Sequence, residues 1–301
     1  MSVSRRLLLA MPLALAAAGR AYAAGAIEVA YAGSMGRLMD KGLNPAFTAA
    51  SGVTVHGMGQ AAMALAHFII GGTLNPDVFI PVSAGPAKLV RAAGRADKAV
   101  PVASTSMVLA YSPVSRFARQ FATNKGAEWT KIFLGPSFRL GRTDPAVDPQ
   151  GQYVLFALQL AGQYYKLPGF AAKVTGALQN PAQIFAEPSL LARLQAGQVD
   201  ATLGYKSAVV SQNLPYIELP DAVNLSNPAL AQIYARASLT LAGKDGKARV
   251  LRPSPLVFYA MALKAAANPR AAAAYMSFLT GADGQAIFKQ FGYGPALGGA
   301  I

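Results

Sequence analysis

The sequence predicts an α/β protein of two lobes, with mainly parallel sheets, helices on both faces of each sheet and a hinge between the lobes. Apolar strand patterns alternate with helical patterns along the whole chain, and this alternation favours parallel sheets. Two strands run through glycine directly into a helix. The 301 residues are enough for two medium-sized cores even after an N-terminal leader is removed.

Residues 1–24 are expected to be an export signal. Arg5 and Arg6 form its positive region, Leu7 to Ala18 its apolar core, and Ala21-Tyr22-Ala23 a small-x-small cleavage site. The apolar core is too short for a membrane span. The paired arginines leave two export routes open, general secretion and the twin-arginine route. No cysteine follows to carry a lipid, so we expect a periplasmic protein that is not a lipoprotein.

Composition narrows the functional classes. The chain has no cysteine, which excludes disulfides, thiol catalysis and Cys-ligated metals. Its formal net charge of +14 attracts anions, but the basic residues are scattered, so no nucleic-acid partner is expected. Two histidines, no Gly-x-Ser-x-Gly elbow and no His-Glu-x-x-His motif argue against an enzyme. We therefore expect a binding protein without a cofactor and without a free metal cation.

The first two strand–helix corners carry the most information. Ile27–Tyr31 reads as a strand that passes through Ala32-Gly33-Ser34 into a helix from Met35 to about Phe47. Val53–Gly57 reads as a second strand, and Gly57-Met58-Gly59-Gln60 opens an apolar helix from Ala61 to Ile70. Such corners aim unpaired backbone N–H groups and the positive end of the helix dipole at one point. Two converging corners favour a receptor for a small anion.

The remaining elements continue the alternation. The predicted strands are Pro76–Pro81, Ser106–Tyr111, Phe138–Gly141, Asp200–Tyr205 and Pro255–Leu263, and the predicted helices are Gly85–Ala93, Gly151–Tyr165, Pro188–Ala196, Pro269–Leu279 and Gly284–Phe291. Asn268 before Pro269 is a typical helix start. Asp77, which precedes an apolar run, is expected to pin a loop through backbone hydrogen bonds, and the single Trp129 to pack a helix.

The order of these elements predicts how the chain is divided. A crossing near Ser106 and a return near Ala237 would give lobe 1 residues 25–105 and 237–301, and lobe 2 residues 106–236. Ligands in such folds bind at the carboxyl ends of strands. The two corners of lobe 1 would then face the lobe 2 loops at 142–151 and 204–207 across a cleft.

At this point the chain resembles a known family, the periplasmic molybdate/tungstate-binding proteins of ABC transporters, and most closely its tungstate-type branch. The resemblance covers nearly the whole chain after the leader. It rests on Ala32-Gly33-Ser34, Asn75-Pro76-Asp77-Val78, Ser106–Tyr111, Gly141–Pro145, Asp148-Pro149-Gln150-Gly151, Leu194–Asp200, Tyr205–Val209, Tyr216–Pro220 and Gly284–Phe288. It implies a type II periplasmic-binding-protein fold, capture of a tetrahedral oxyanion between two lobes by hinge closure, and delivery to an ABC permease at the inner membrane. A monomer is expected.

The resemblance also suggests ligand-binding residues. Ser34 matches the family's hydroxyl donor in the first lobe, and Tyr205 matches a tyrosine whose hydroxyl reaches the anion in the molybdate branch. The amide of Gln150 matches a backbone donor at a helix start, and the amides near Ser189 match another. Asp148 matches a carboxylate that completes the metal's coordination shell in the tungstate branch, which makes it a candidate oxometalate ligand.

Three departures from the family pattern bear on coordination. Gln60 stands where the second corner usually has a serine and is itself a candidate ligand-binding residue. Gly204 stands where a strand usually carries the partner carboxylate. Gln150 and Gln152 replace the usual Cys and Tyr of their loop. With Asp148 alone, a dianion would face an unpaired negative charge in a dry cleft. Three roles for Asp148 stay open: accepting a proton from a protonated oxyanion, coordinating the metal, or capping the helix at Gly151.

Several residues leave alternative ligands open. Tyr164-Tyr165 is an adjacent pair of the kind that ferric-binding receptors use, so an iron carrier is an alternative, as is a sulfate or phosphate receptor. Sulfate carries no proton for Asp148 to accept, whereas hydrogen phosphate does. Arg142 either pairs with Asp144 or contacts the anion. A periplasmic enzyme is the least favoured function.

Overall fold

The computed structural model describes residues 25–123, 126–242 and 247–301. The predicted export signal at residues 1–24 lies outside them. The strands are β1 Ala26–Ala32, β2 Thr54–Gln60, β3 Val78–Ile80, β4 Val100–Ser104, β5 Met107–Tyr111, β6 Ala201–Tyr205, β7 Tyr216–Glu218, β8 Leu239–Ala242, β9 Ala248–Leu251 and β10 Val257–Ala262.

Helices cover much of the rest. They are α1 Gly36–Leu38, α2 Asn44–Ser51, α3 Ala62–Ile70, α4 Ala84–Ala92, α5 Ala118–Ala122, α6 Glu128–Phe133, α7 Pro149–Tyr164, α8 Phe170–Thr175, α9 Glu187–Gln195, α10 Lys206–Ser211, α11 Asp221–Asn224, α12 Ala231–Tyr234, α13 Pro269–Thr280 and α14 Ala282–Gln290. The predicted first helix is a continuous but irregular one: a 3₁₀ turn at Gly33–Met35 precedes α1, and a π turn at Met39–Leu43 joins α1 to α2. No helix in these ranges is long and apolar enough to cross a membrane.

The α/β class is confirmed, with mixed sheets rather than mainly parallel ones. The first sheet has the order β2-β1-β3-β10-β4. Strands β1, β2 and β3 are parallel, whereas β10 is antiparallel to both β3 and β4. The direction of β10 follows from its origin, since the chain enters this strand on its way back from the second sheet.

The second sheet is antiparallel, with the order β6-β5-β7. Of the predicted strand at Phe138–Gly141, the structure has one isolated parallel bridge, from Leu140 to Ala201. A second bridge joins Arg142, just after this segment, to Ile184. Each sheet has its own apolar core: residues such as Ile27 and Phe258 pack in the first, and Leu109 and Phe156 in the second.

Two predicted packing roles are confirmed. The Asp77 carboxylate is buried and accepts hydrogen bonds from the backbone N–H of Glu28 at 2.7 Å and of Asn268 at 2.8 Å, so it ties β1 to the start of α13. Trp129 lies on α6, fully buried, and its ring meets Phe170 edge to face at 5.6 Å.

The second corner differs from the prediction. Strand β2 continues through Gly57 and Gly59 to Gln60, and the turn into α3 lies at Ala61. The two glycines leave room for the ring of Tyr31 on β1, because a Cβ at Gly57 or Gly59 would lie 2.9 or 2.7 Å from its carbons. Close approach of this ring, and not a turn, requires glycine there.

The β8–β9 hairpin was not predicted from the sequence, and its position bears on the lobe boundary. Leu239 and Leu256 belong to the apolar cluster of the second sheet. The two crossing segments meet where the Thr105 N–H donates to the Leu256 carbonyl at 3.0 Å. We therefore propose that lobe 2 runs from Ser106 to about Leu256, and that the return to lobe 1 is at β10 instead of near Ala237.

Candidate functional site

A cavity of about 540 Å³ lies between the two sheets. Five of the six residues proposed from the sequence line it: Ser34, Gln60, Asp148, Gln150 and Tyr205. They come from four separate stretches of chain, and Ser34 and Gln60 belong to the first lobe while the other three belong to the second. The fold therefore brings most of the sequence-derived residues to one place.

The first-lobe wall is made of helix starts that no side chain caps. In the described structure the residues before these helices, Ala32, Ala61 and Ser83, make no side-chain capping hydrogen bond. All three line the cavity. The first N–H groups of a helix lack partners within the helix, and the helix dipole adds positive potential. Together with the exposed Ser34 hydroxyl, this wall can hold an anion.

Ser83 was not proposed from the sequence. It follows β3 and precedes α4, so it occupies a third strand–helix corner of lobe 1. The pattern was present as Pro81-Val82-Ser83-Ala84-Gly85, where serine stands between a predicted strand and a predicted helix. The rule that singled out Ser34 also applies to Ser83.

The second-lobe wall is the start of α7, and its first amide is already bonded. Asp148 is the N-cap of α7, and its Oδ1 accepts a hydrogen bond from the Gln150 N–H at 2.8 Å. Pro149 has no N–H to offer. Of the three roles considered for Asp148, the structure therefore shows helix capping, with the bond made to Gln150 and not to Gly151.

Gln150 also presents an unsatisfied side chain. The residue is only 4% exposed, and its Oε1 has no hydrogen-bond donor among the described residues. The neighbouring Gln152 is different, because its Nε2 donates to the Pro145 carbonyl at 3.0 Å and is thereby held in the loop. Buried polar atoms without partners are rare, so Gln150 marks a point where a further group can bind.

Two tyrosines complete the second-lobe wall. Tyr205 ends β6, is buried, and packs its ring against Tyr153 with centroids 6.1 Å apart. The Tyr153 hydroxyl donates to the Ser254 carbonyl at 2.8 Å. Burial raises the pKa of Tyr153 and outweighs the lowering by Ser254, so this phenol is neutral at physiological pH.

Charge within the cavity is nearly balanced. Of the described residues that line it, Asp148 carries a negative charge and Arg252 a positive one. The Arg252 guanidinium also donates to the Ala235 carbonyl. Neutral donors therefore make up most of the polar lining.

The other candidates lie elsewhere. Ser189 is on α9, outside the cavity lining, and its exposed hydroxyl accepts a hydrogen bond from Arg193 Nε at 3.3 Å. Arg142 is fully buried and donates to Gln183 Oε1 at 3.0 Å and to the Leu178 carbonyl at 2.8 Å. Burial lowers the pKa of Arg142, while the nearby Asp144 charge raises it. Arg142 thus anchors the segment before α9 instead of lining the cavity.

The tyrosine pair suggested for iron is remote from this cavity. Tyr164 is the last residue of α7, whose first residues line the cavity, and a helix of this length spans about 22 Å. The Tyr164 side chain is exposed. The part of the chain that the structure describes holds no group of three or more His, Cys, Asp or Glu residues suited to a metal ion.

Known proteins resemble this chain in sequence and fold. A Haloferax volcanii protein, whose name assigns it to molybdenum binding in an ABC transporter, is 33% identical over 223 residues, which cover 74% of this chain and 69% of that protein. The molybdate/tungstate-binding protein WtpA of Thermococcus kodakarensis is 29% identical over 207 residues, covering 62% of this chain and 57% of its own length.

The periplasmic molybdate-binding protein of Azotobacter vinelandii shares the fold, with a TM-score of 0.56 and 18% identity over 89% of this chain and 98% of that one. Residues 27–294 match the family described as bacterial extracellular solute-binding proteins. Because this match covers nearly all the described residues, the chain belongs to the bacterial extracellular solute-binding protein family.

Proposed function

We propose that this protein captures a tetrahedral oxyanion, molybdate or tungstate, between its two lobes and delivers it to an ABC permease at the inner membrane. The single observation that carries the proposal is the first-lobe wall, where three uncapped helix starts and the Ser34 hydroxyl face one cavity. Neutral donors and helix dipoles of this kind suit a desolvated anion.

The choice of oxometalate rests on the relatives. Two of them carry molybdenum or molybdate/tungstate in their names, and both match most of the described chain. The cavity residues are compatible with such a ligand, because Ser34, Tyr205 and backbone amides can surround four oxygens. We assign the ligand-binding role to Ser34, Gln60, Ser83, Gln150 and Tyr205.

We propose that the oxometalate is held as a four-coordinate species. Six-coordination would need two carboxylates next to the metal, and position 204 is glycine. A Cβ at Gly204 would lie 3.7 Å from Val209 Cγ2, and Gly204 is not part of the cavity lining. Asp148 is already bonded to the start of α7.

Location and partners complete the proposal. The family is extracellular, and the predicted leader favours the periplasm as the compartment. Closure about the crossing segments near Thr105 and Leu256 would present both lobes to the permease. The protein acts as a monomer and carries out no catalysis.

Hydrogen phosphate is the second candidate ligand. The second-lobe wall has two acceptors, the Asp148 carboxylate and the unpartnered Gln150 Oε1, and a protonated oxyanion can donate to either. Sulfate, molybdate and tungstate carry no proton at neutral pH, so with any of these dianions Gln150 would have to turn its carboxamide and present Nε2.

Calorimetric titration tests these assignments. The purified protein is titrated with molybdate, tungstate, sulfate and phosphate at fixed pH and ionic strength. We expect tight binding of molybdate and tungstate and weak binding of the other two. Tight phosphate binding without molybdate binding would favour the second candidate, and binding of none would refute the oxyanion receptor. X-ray absorption on the tungstate complex tests coordination, and a six-coordinate metal would contradict the four-coordinate proposal.

A further inference from the structure

The two walls of the cavity differ in whether their helix-start amides are already bonded to a side chain. On the first lobe, the amides at the starts of α3 and α4 and the 3₁₀ turn at Gly33–Met35 have no side-chain cap in the described structure. On the second lobe, the first available amide of α7 is bonded to the protein's own carboxylate. A carboxylate at a helix start makes the same kind of contact that a bound oxyanion makes there.

We infer that Asp148 is an internal competitor for the anion: its carboxylate holds the Gln150 amide in this structure and must give it up when the anion binds. This inference rests on the proposed function, because it assigns Asp148 a part in that same site. The competition lowers the affinity for the anion and favours less charged ligands. Asp148 occupies the Gln150 amide, and its negative charge repels a dianion.

At the second-lobe wall, the Gln150 N–H is the first backbone donor of α7. Pro149 has no N–H, so Gln150 provides the first donor of α7. Gly151 follows, and its backbone is packed against the loop: a Cβ there would lie 2.5 Å from the Thr143 carbonyl oxygen. An anion that reaches the second lobe from the cavity therefore meets the Gln150 amide, where Asp148 is already bonded.

The Gln150 side chain is a second, independent sign that a ligand completes this wall. Gln150 is buried and lines the cavity, and its Oε1 has no donor among the described residues. Half a turn about its last side-chain torsion exchanges Oε1 with Nε2 and converts an acceptor into a donor. Once Asp148 withdraws, Gln150 can offer both its backbone N–H and its Nε2 to the same anion.

Two substitutions separate competition from simple capping. Asp148→Asn keeps a capping oxygen and removes the charge, whereas Asp148→Ala removes both. Asp144→Asn is the matched control, because Asp144 belongs to the same loop, accepts the Ala146 N–H at 2.9 Å in the same way, and does not line the cavity. All variants and the parent protein are titrated with sulfate, molybdate and tungstate at one pH and ionic strength, and melted without ligand.

Competition predicts a gain of affinity. Asp148→Asn and Asp148→Ala should each bind the anions that the parent binds about tenfold more tightly or better, and Asp144→Asn should stay within about twofold. Asp148→Ala should also melt about 2 to 4 °C lower without ligand, because a helix cap is lost. A residue that only caps would lower the melting temperature and leave affinity unchanged. If Asp148→Ala does not fold, Asp148→Asn alone decides.

Each other outcome has a distinct meaning. Unchanged affinity in both Asp148 variants, or an equal gain in Asp144→Asn, would overturn the competition while leaving the receptor intact. A loss confined to molybdate and tungstate would make Asp148 a metal ligand and also overturn it. If the parent binds no anion but Asp148→Asn does, competition is supported and the parent's proposed ligand is wrong. If no variant binds any anion, both proposals fail.

Discussion

Replacing Ser34 by alanine tests the first-lobe wall most directly. The substitution removes one hydroxyl from the 3₁₀ turn at Gly33–Met35 and changes nothing else in that turn. Ser34 is exposed in the cavity, and its hydroxyl makes no hydrogen bond to another described residue. Its loss should therefore leave the folded protein without ligand almost unaffected, within about 0.5 kcal/mol.

The effect on binding is much larger, because the acceptor is charged and desolvated. Leaving such an acceptor one donor short costs about 1 to 3 kcal/mol. This corresponds to an increase in Kd of roughly 5- to 150-fold. The upper part of that range applies if closure of the lobes removes water from the anion, since no solvent then replaces the missing donor.

Calorimetry with molybdate measures the change, and circular dichroism melting of the ligand-free variant checks the fold. Ser34→Thr is the control: it keeps a hydroxyl at the same position and should recover most of the affinity. If Ser34→Ala binds as tightly as the parent and melts at the same temperature, Ser34 does not contact the anion. If the threonine variant is as weak as the alanine variant, the space at this position matters more than the hydroxyl.

Three further predictions concern stabilisation by ligand, the Tyr205 hydroxyl and the buried Asp200 carboxylate. Saturating molybdate should raise the melting temperature by several degrees, since a ligand that binds only the folded state stabilises it by mass action, and a scan with and without ligand measures this. Tyr205→Phe should weaken anion binding by about 3- to 30-fold in the same calorimetric titration while leaving the ring contact with Tyr153 in place. Asp200→Asn should lower the free energy of unfolding by about 2 to 4 kcal/mol in urea titrations, because the buried carboxylate accepts hydrogen bonds from Ser115 and from the half-exposed Arg139. Burial raises the pKa of Asp200, but the Arg139 and Ser115 hydrogen bonds outweigh it and hold that pKa below its usual range, so this stabilisation is present above about pH 4 and is lost as the pH falls through the lower folded-state value.

Much of the first lobe could be predicted because local patterns determine it. The alternation of strands and helices gave the α/β class, and the corner after β1 gave Ser34. The direction of β10 could not be predicted in the same way, since it depends on where the chain goes between Thr105 and Leu256. The β8–β9 hairpin was also missed, because its strands are short and partly exposed and carry little apolar periodicity.

Glycine was the least reliable guide to a turn. Gly57 and Gly59 suggested a loop before α3, yet both lie within β2. Glycine is needed at both positions because the Tyr31 ring, on a strand about 26 residues earlier in the chain, packs against them. The Tyr31 hydroxyl donates to Asp40 at 3.0 Å. A contact of this kind between neighbouring strands leaves no signal in the local sequence around the glycines.

Asp148 shows the limit of carrying a residue over from a family. The motif placed it correctly at the cavity, and its position before Pro149 is what a helix cap needs. Which atom its carboxylate contacts depends on the side-chain torsions, and the same position serves a metal ligand or a cap. The sequence therefore left several roles open, and the structure adds the 2.8 Å bond to Gln150, which is the contact of a helix cap.

Net charge and site charge have different consequences for this protein. The formal charge of +14 lies mostly on scattered surface residues, whose field is screened within about 8 Å at physiological ionic strength. It can speed the approach of anions in general but cannot tell one from another. Inside the cavity, Arg252 and Asp148 nearly offset each other. Discrimination between oxyanions must therefore come from the number and placement of neutral donors, such as the Ser34 hydroxyl and the open helix starts, and from whether Asp148 yields the Gln150 amide.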